Sequence, residues 1–549
     1  MKNIVLSLHY GHNSTVGLSI DGEIVCLISE ERLNRIKNSY GYPAKALKYV
    51  IDKYLSGDAS KITKVVINDY DLVFVNDLEF WGYDPKTVDE VFPIHYKNKE
   101  AFMRKYLQYE SKFPSAIMRG KRSFKSLIRN IFLQGRFIKR VNKKLSFPFI
   151  ATREKLIKTI AAKIGVSPSK IVPFDHHSAH ILASMYFIDE RKKYLCFTID
   201  GAGDWASAKV AVFENGKLDI LYRLNQIISL GHLYYCVTGF LGMKGLEHEF
   251  KVMGMAPYAK EEQIERVKKV FEEMIQIDAQ GKFISKINSA DYFNYIVERL
   301  SFERFDNICG AIQTFTEEMM TKWIKIWINK TGVSDICLGG GVMMNVKAVK
   351  KVYEMSEVGS IFVCPSCGDE SLPIGGLFYG NQILKQSVKK ITNLYLGSQN
   401  SDDEIENYLK TVSDRYSFEK LSNEEAAQRA AKLLSEDKVI ARCAGREEWG
   451  ARALGNRSIL CNAKHFKNID ILNQYIKDRD FWMPFTPSIL KEDIDLYIEN
   501  PRNINAPYMC ITFESTELAR KNIPAALHPY DKTIRPQAVD KEWNPQYHA

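Results

Sequence analysis

The chain has no run of about 18 consecutive apolar residues, so no helical membrane span is expected. Its start, Met1-Lys2-Asn3 followed by only Ile4 to Leu8 before His9 and Tyr10, is too short in apolar residues for a signal-peptide core. Ten cysteines are scattered over 549 residues, and several sit inside apolar runs (Cys26, Cys196, Cys337, Cys510); they read as buried thiols, not as a disulfide frame. A single CxxC, Cys364-Pro365-Ser366-Cys367, has no second one to complete a zinc site and reads as two ordinary thiols beside a loop. Low-complexity tracts are absent, and 45% hydrophobic with 26% charged residues excludes global disorder. The cytoplasm is the expected compartment, and at roughly 100–200 residues per domain the chain holds more than one unit.

Charge is unevenly spread. Between Lys97 and Lys144 there are 15 Lys/Arg against two acids, Glu100 and Glu110, a local +13 in a chain whose total is +10. The remainder is slightly acidic, so a general nucleic-acid affinity does not follow. Apolar residues recur every three or four positions after Phe124, which predicts an amphipathic helix there. Two readings stay open: an inserted helical lid beside the cleft that helps recruit an anionic or lipid-linked acceptor, or a solvated helical insertion with its apolar face on the core.

One pattern occurs twice. Ile4 to Leu8 is an apolar run, Gly11 to Thr15 a polar loop, and Val16 to Ile20 and Glu23 to Ile28 flank Asp21-Gly22. Tyr194 to Ile199, the loop Asp200-Gly201-Ala202-Gly203-Asp204, and Ala208 to Phe213 with Leu218 to Leu221 around Asn215-Gly216 repeat that plan. Asp-Gly and Asn-Gly between apolar runs are hairpin signals, because a type I′ turn needs positive φ at both central residues. The repeat predicts two similar lobes facing a cleft, with both loops at strand ends. Helices are expected over 152–164, 260–277, 309–328 and from about Met344, with a linker near 385–399 and a second α/β domain after Asp402.

His176 and His180, in Asp175-His176-His177-Ser178-Ala179-His180, are four apart and share one helix face, where two imidazoles can reach one ion. With a carboxylate from elsewhere the set suits Fe(II), Zn or Mn. Three glycine loops, around Gly201 and Gly203, Gly339-Gly340-Gly341, and Gly368-Asp369, let backbone N–H groups approach a phosphate. Further on, Arg446-Glu447-Glu448-Trp449-Gly450-Ala451-Arg452-Ala453-Leu454-Gly455-Asn456-Arg457-Ser458, then Lys477 and Arg479, set cations in tight turns suited to a phosphorylated small molecule.

These motifs, with Gly11-His12-Asn13, Glu30-Glu31-Arg32, Lys251-Val252-Met253-Gly254-Met255-Ala256-Pro257-Tyr258, Gly340 to Asn345 and Arg535-Pro536-Gln537, resemble the O-carbamoyltransferases of nodulation-factor and antibiotic biosynthesis almost from end to end. The resemblance implies an α/β fold: a duplicated actin-like ATPase (ASKHA, TsaD-like) domain over 1–385 with a basic insertion at about 72–150, a linker at 386–400, and a YrdC-like α/β domain over 401–549. The family continues where this chain ends, so that last domain is expected to be C-terminally incomplete. The implied reaction forms carbamoyl-adenylate from carbamoyl phosphate and ATP, with Mg(2+) on the ATP, and passes the carbamoyl group to a hydroxyl-bearing acceptor. His176, His180 and Asp369 match the metal ligands, with Fe(2+) the first choice among divalent ions. Gly201, Gly203, Asp204, Gly339, Gly340, Gly341 and Asn345 match the adenylate site. Arg446, Arg452, Asn456, Arg457, Lys477 and Arg479 match the phosphate site of the second domain. His12 is the candidate base, and Lys251 the other candidate catalytic group. Ala451 stands where a proline is usual, and Ser371 where a glycine is usual. Two other readings are a threonylcarbamoyl-type transferase acting on tRNA, against which the fused second domain argues, and a non-catalytic nucleotide-binding module. A homodimer stays open.

Overall fold

The computed structural model describes residues 2–69, 154, 156–477 and 479–549. The basic segment and its expected lid lie outside the described residues. Among those described, no helix is long and apolar enough to cross a membrane.

The duplicated pattern folds as two five-stranded mixed sheets of equal plan. In the first, β1 (Ile4–His9), β2 (Thr15–Ile20) and β3 (Glu23–Ser29) form an antiparallel meander. The strands β4 (Lys64–Asn68) and β5 (Ile171–Phe174) extend it in parallel beyond β1, giving the order β3-β2-β1-β4-β5. In the second, β6 (Tyr194–Gly203), β7 (Ala206–Glu214) and β8 (Lys217–Asn225) form the meander. Strands Ile336–Gly339 and Ile361–Val363 add in parallel on the β6 side. Both hairpins turn where the sequence asks them to: φ is 49° at Asp21 and 82° at Gly22, and 50° at Asn215 and 75° at Gly216.

Two helices join the lobes. His176–Met185 is buried at every position, and Leu372–Ile383 lies between it and the first sheet. The crossing is tight: a Cβ on Gly375 would lie 1.9 Å from the Ala179 carbonyl oxygen. The long helix Phe305–Thr331 backs the second lobe, where Trp323 packs edge-on against Phe197 and Phe283.

The C-terminal region, expected as a second α/β domain, is built on short strand pairs and packs against the second lobe. Its strands form two-residue to four-residue pairs, among them Ile440–Cys443 with Arg457–Leu460 and Ser488–Leu490 with Gln537–Val539. Its apolar side chains, Trp449, Leu454, Ile489, Ile498, Phe513 and Ile534, belong to the same buried cluster as the second lobe. The helices Asp402–Thr411 and Asn423–Ser435 start at capping boxes, Ser401 with Glu404 and Ser422 with Glu425.

The segment expected to be a linker has no regular structure, but it is pinned rather than free. Lys389 N–H donates to Gly22 O (2.9 Å), Ile391 N–H to Tyr186 O (2.7 Å), and Leu396 O accepts from Leu27 N–H (2.9 Å). Arg446 clamps it: the guanidinium donates to Leu396 O (2.7 Å), Gly397 O (3.3 Å), Val25 O (2.8 Å) and the Tyr54 hydroxyl (3.3 Å). We expect Arg446→Ala to cost about 2 kcal/mol, since hydrogen bonds to a charged group are each worth roughly 1.5–3 kcal/mol and water recovers part of that. The variant should show new limited-proteolysis cuts within 386–400; an unchanged digest would show that the clamp does not hold this segment.

Candidate functional site

The site is built outward from one helix start. Asp175 caps helix His176–Met185 by accepting the Ser178 N–H (2.8 Å), and buried Lys209 pairs with that carboxylate. Cap and i, i+4 spacing together bring His176 and His180 to one point, with their Nε2 atoms 3.2 Å apart. A glycine is required beside them: a Cβ on Gly203 would stand 2.3 Å from the His176 ring. Asp204, with φ of 49°, accepts the His176 N–H (2.7 Å) and fixes the first turn.

Two carboxylates close on the imidazoles. Asp200 Oδ2 lies 3.1 Å from His180 Nε2 and 3.9 Å from His176 Nε2, and Asp369 Oδ1 is 3.6 Å from each. One donor atom from each of the four residues falls within 4.8 Å of all the others. The far nitrogens are also held, His176 Nδ1 by Asp69 Oδ1 (2.7 Å) and His180 Nδ1 by Ser371 Oγ (2.9 Å), so both rings present Nε2 inward. Burial opposes charge on His176, but hydrogen bonds to Asp200 and Asp69 outweigh it and raise the ring well above 6.5; His180 is raised by Asp200 and Asp369 against the same burial. Burial works the other way on Asp200, where the two imidazoles prevail and hold the carboxylate well below the usual range. Positive charge is thus drawn to the centre of the four, which fits a divalent ion taking the place of protons.

His177 points elsewhere. Its Nδ1 meets Thr198 Oγ1 (2.9 Å), and burial with His176 alongside pushes it to about 3. Cys364 and Cys367 stay outside the quartet; both are buried, and burial pushes both thiols up.

The quartet opens into a cavity of about 2270 Å³, two or more times the usual 300–1,000 Å³ of a small-ligand pocket. His12, on the β1–β2 loop, lines it with a buried Nε2 that has no partner among the described residues, and burial holds its pKa below 6.5. Gly201, Gly203, Asp204, Gly341 and Asn345 line the same chamber. The Asn345 amide is already spent, exchanging hydrogen bonds with Gln313 (3.0 and 2.8 Å) and capping the next helix. Gly339 and Gly340 stand behind the lining: their Cβ positions face His180 O (3.1 Å) and Ile199 O (2.5 Å), so they serve packing.

Across the chamber the chemistry reverses sign. Arg452, Arg457, Arg479, Arg535 and Lys477 all line it. Burial first, then mutual repulsion, lowers Arg479 and Arg535 from the usual arginine range, and burial lowers Arg452. Arg457 keeps Nε and Nη2 buried without hydrogen bonds among the described residues, although Nε is 3.6 Å from a Glu448 oxygen. Glu448 shapes this loop, one oxygen accepting the N–H groups of Leu454 (2.7 Å), Asn456 (2.9 Å) and Arg457 (3.1 Å). Converging guanidinium groups of this kind are chemically suited to an anion. A short bridge ties the two halves: Ser366 Oγ accepts the Ala451 N–H (3.1 Å) and bonds to the Glu370 carboxylate, next to Asp369.

Besides Gly339 and Gly340, three expected site residues stand apart from the lining. Arg446 spends its donors on the 386–400 segment. Asn456 is buried among Arg442, Asn544 and the Arg446 carbonyl, which makes it a scaffold of the arginine loop. Lys251 pairs with Asp480 (2.8 Å) away from the chamber lining. Conversely, Asp200 and Arg535 stand in the quoted motifs without a site role, and Asp69 and His9 have no motif at all. Asp200 sat in view, opening a glycine loop at the end of an apolar strand; nothing local marks Asp69.

Two family models match this chain: "Carbamoyltransferase N-terminus" over residues 2–377 and "Carbamoyltransferase C-terminus" over residues 431–549. Nodulation protein NolNO of Sinorhizobium fredii is 27% identical over 98% of this chain and 71% of that protein. An uncharacterized protein of Synechocystis sp. is 26% identical over 100% of this chain and 88% of its own length. Full-length HypF in its phosphate- and nucleotide-bound form is 12% identical with a TM-score of 0.35, over 71% of this chain and 56% of that one, too distant in shape to carry an argument. The N-terminal match alone spans well over half of the sequence and takes in all four residues of the quartet, and on that ground the protein belongs to the carbamoyltransferase family, transferases that carbamoylate their substrates.

Proposed function

We propose that the protein is an O-carbamoyltransferase that works in two steps within one chamber. Carbamoyl phosphate, ATP and one water give carbamoyl-adenylate, phosphate and pyrophosphate; the carbamoyl carbon then passes to an acceptor hydroxyl and AMP leaves. The observation that carries this reading is the pairing of opposite chemistries, an arginine-lined anion site and a His/Asp quartet, in one cavity large enough for two ligands. In this reading residues 1–385 form an actin-like ATPase-type half and 401–549 a YrdC-like half.

The first step brings two polyanions together. Arg452, Arg457, Arg479, Arg535 and Lys477 offset their repulsion and orient carbamoyl phosphate against the ATP phosphates. Closure of the chamber around its ligands would shield the labile adenylate from bulk water. In the second step Gly201, Gly203 and Gly341, which carry no side chain, leave room for the adenylate phosphate at the chamber wall, while the Gly201 and Gly341 N–H groups hold Asp200 (2.6 and 2.9 Å). A divalent ion, Fe(2+) by family resemblance, would be held by His176, His180, Asp200 and Asp369 and would supply Lewis-acid polarisation. His12, kept neutral by burial, takes the proton of the acceptor hydroxyl at Nε2 as the new C–O bond forms. ATP–pyrophosphate exchange that depends on carbamoyl phosphate tests the reading directly; its absence would defeat the adenylate step.

Three outcomes are expected. Arg452→Ala should reduce adenylate formation by about 100-fold or more, the usual order for losing a charge-stabilising donor, yet leave transfer from supplied carbamoyl-adenylate nearly intact. Equal loss of both half-reactions in single turnover would defeat the division of labour. His176→Ala or Asp369→Ala should lower bound metal and stop transfer, while His177→Ala should do much less; elemental analysis showing equal metal in wild type and His176→Ala would refute the quartet. The transfer step should lose rate toward acid, because protonating His12 removes the base, and since its pKa lies below 6.5 the fall should begin only below about pH 6.5. A profile falling near pH 8 would remove His12 from this role.

A further inference from the structure

We infer that Asp69 is the positioning residue of the metal centre: its carboxylate orients His176 for ligation through Nε2 and holds His9 beside Asp369. The inference rests on the metal reading of the quartet and adds a residue outside it. Asp69 follows β4 directly and stands 107 residues before His176 in the chain. Its Oδ1 meets His176 Nδ1 at 2.7 Å, and its Oδ2 lies 3.2 Å from His9 Nδ1. One carboxylate thus addresses two buried imidazoles, one with each oxygen.

The geometry dictates the tautomer. A carboxylate oxygen only accepts, so His176 Nδ1 keeps a proton, and Nε2, turned toward Asp200, Asp369 and His180, is the nitrogen that gives up its proton to a metal ion. A carboxylate behind a ligating histidine also makes that nitrogen a stronger donor, and removal of such partners weakens metal binding by roughly 10–100-fold. His180 has only a hydroxyl behind it, Ser371 Oγ at 2.9 Å, so the two ligands are not held equally.

His9 extends the hold to the other side of the site. It is 1% exposed, with Nε2 3.1 Å from His12 O and 3.7 Å from Asp369 Oδ2. Asp69 therefore stands behind a ligand directly and, through His9, beside a second ligand and the His12 loop. The backbone bears a cost for this placement: φ at Asp69 is 108°, a region non-glycine residues rarely occupy, and the Asp69 N–H is held by Phe174 O at 3.1 Å. Strained backbone of this kind persists where surrounding contacts over-determine it, and it clusters at functional sites.

The test measures Co(II) affinity by competition with a chromophoric chelator, together with the visible Co(II) spectrum, for the full chain as wild type, Asp69→Asn, Asp69→Ala and Ser371→Ala. Asparagine keeps the shape but offers one acceptor where two are used. The expected result is an affinity about 10–100-fold weaker for both Asp69 variants, a smaller fall for Ser371→Ala, and a changed Co(II) spectrum for Asp69→Asn. Affinity and spectrum equal to wild type in both Asp69 variants would overturn the inference. So would loss of the folded circular-dichroism signal in both variants without metal, because Asp69 would then be a folding element. A wild-type protein that binds no Co(II), Zn(II) or Fe(II) would instead defeat the metal reading, an outcome distinct from the other two.

Discussion

The structure depends on how closely helix His176–Met185 approaches its neighbours. Its first turn rests on Gly203, where a side chain would overlap the His176 ring, and its middle crosses Leu372–Ile383 at Gly375, where a Cβ would enter the Ala179 carbonyl. Helix axes can come this near only where Cβ atoms are missing. The second crossing sets the distance of Asp369, which lies just before Leu372–Ile383, from both imidazoles. The first sets the distance of Asp200, on the strand that ends at Gly203. The four-residue quartet is therefore a product of backbone packing, with its ligands drawn from a strand end, a short turn and a helix that meet between the lobes.

The repeated sheet explains why the two kinds of chemistry meet. Each lobe places its first loop, Gly11–Thr15 or Asp200–Asp204, at the same end of an equivalent strand, so both loops open toward one space. The C-terminal region supplies the remaining wall with the arginine loop around Glu448. That carboxylate is buried, and three backbone N–H groups on one oxygen compensate the burial. The loop it shapes then presents like charges side by side, which suits an anion.

Much of this was legible in the sequence because the signals were local. The two I′ turns, the duplicated meander, the i, i+4 histidines and the glycine loops each lie within a dozen residues. Asp69 and His9 escaped notice because their meaning comes from pairing across the fold: Asp69 with a histidine 107 positions away, His9 with Asp69 and with Asp369. Arg446 misled for the opposite reason. It sits in the right motif, but a guanidinium satisfies backbone carbonyls as readily as phosphate, and only the fold shows that Val25, Leu396 and Gly397 surround it. The sharing of one buried cluster between 401–549 and the second lobe is visible only in the fold, since alternation of helices and strands says nothing of whose core they fill.

That shared core bears on how such a chain diversifies. Side chains from both sides of the 386–400 segment interdigitate: Arg502 donates to the Tyr353 carbonyl (2.7 Å), the Tyr353 hydroxyl reaches Asn500 (2.9 Å), and Phe513 packs edge-on against the Tyr353 ring. A C-terminal half grafted from another protein would meet this surface with mismatched volumes and uncompensated polar groups. Recombination of whole halves is thereby penalised, and new acceptor specificity is more readily gained by loop exchange around the chamber mouth, where a change of length leaves the common core untouched.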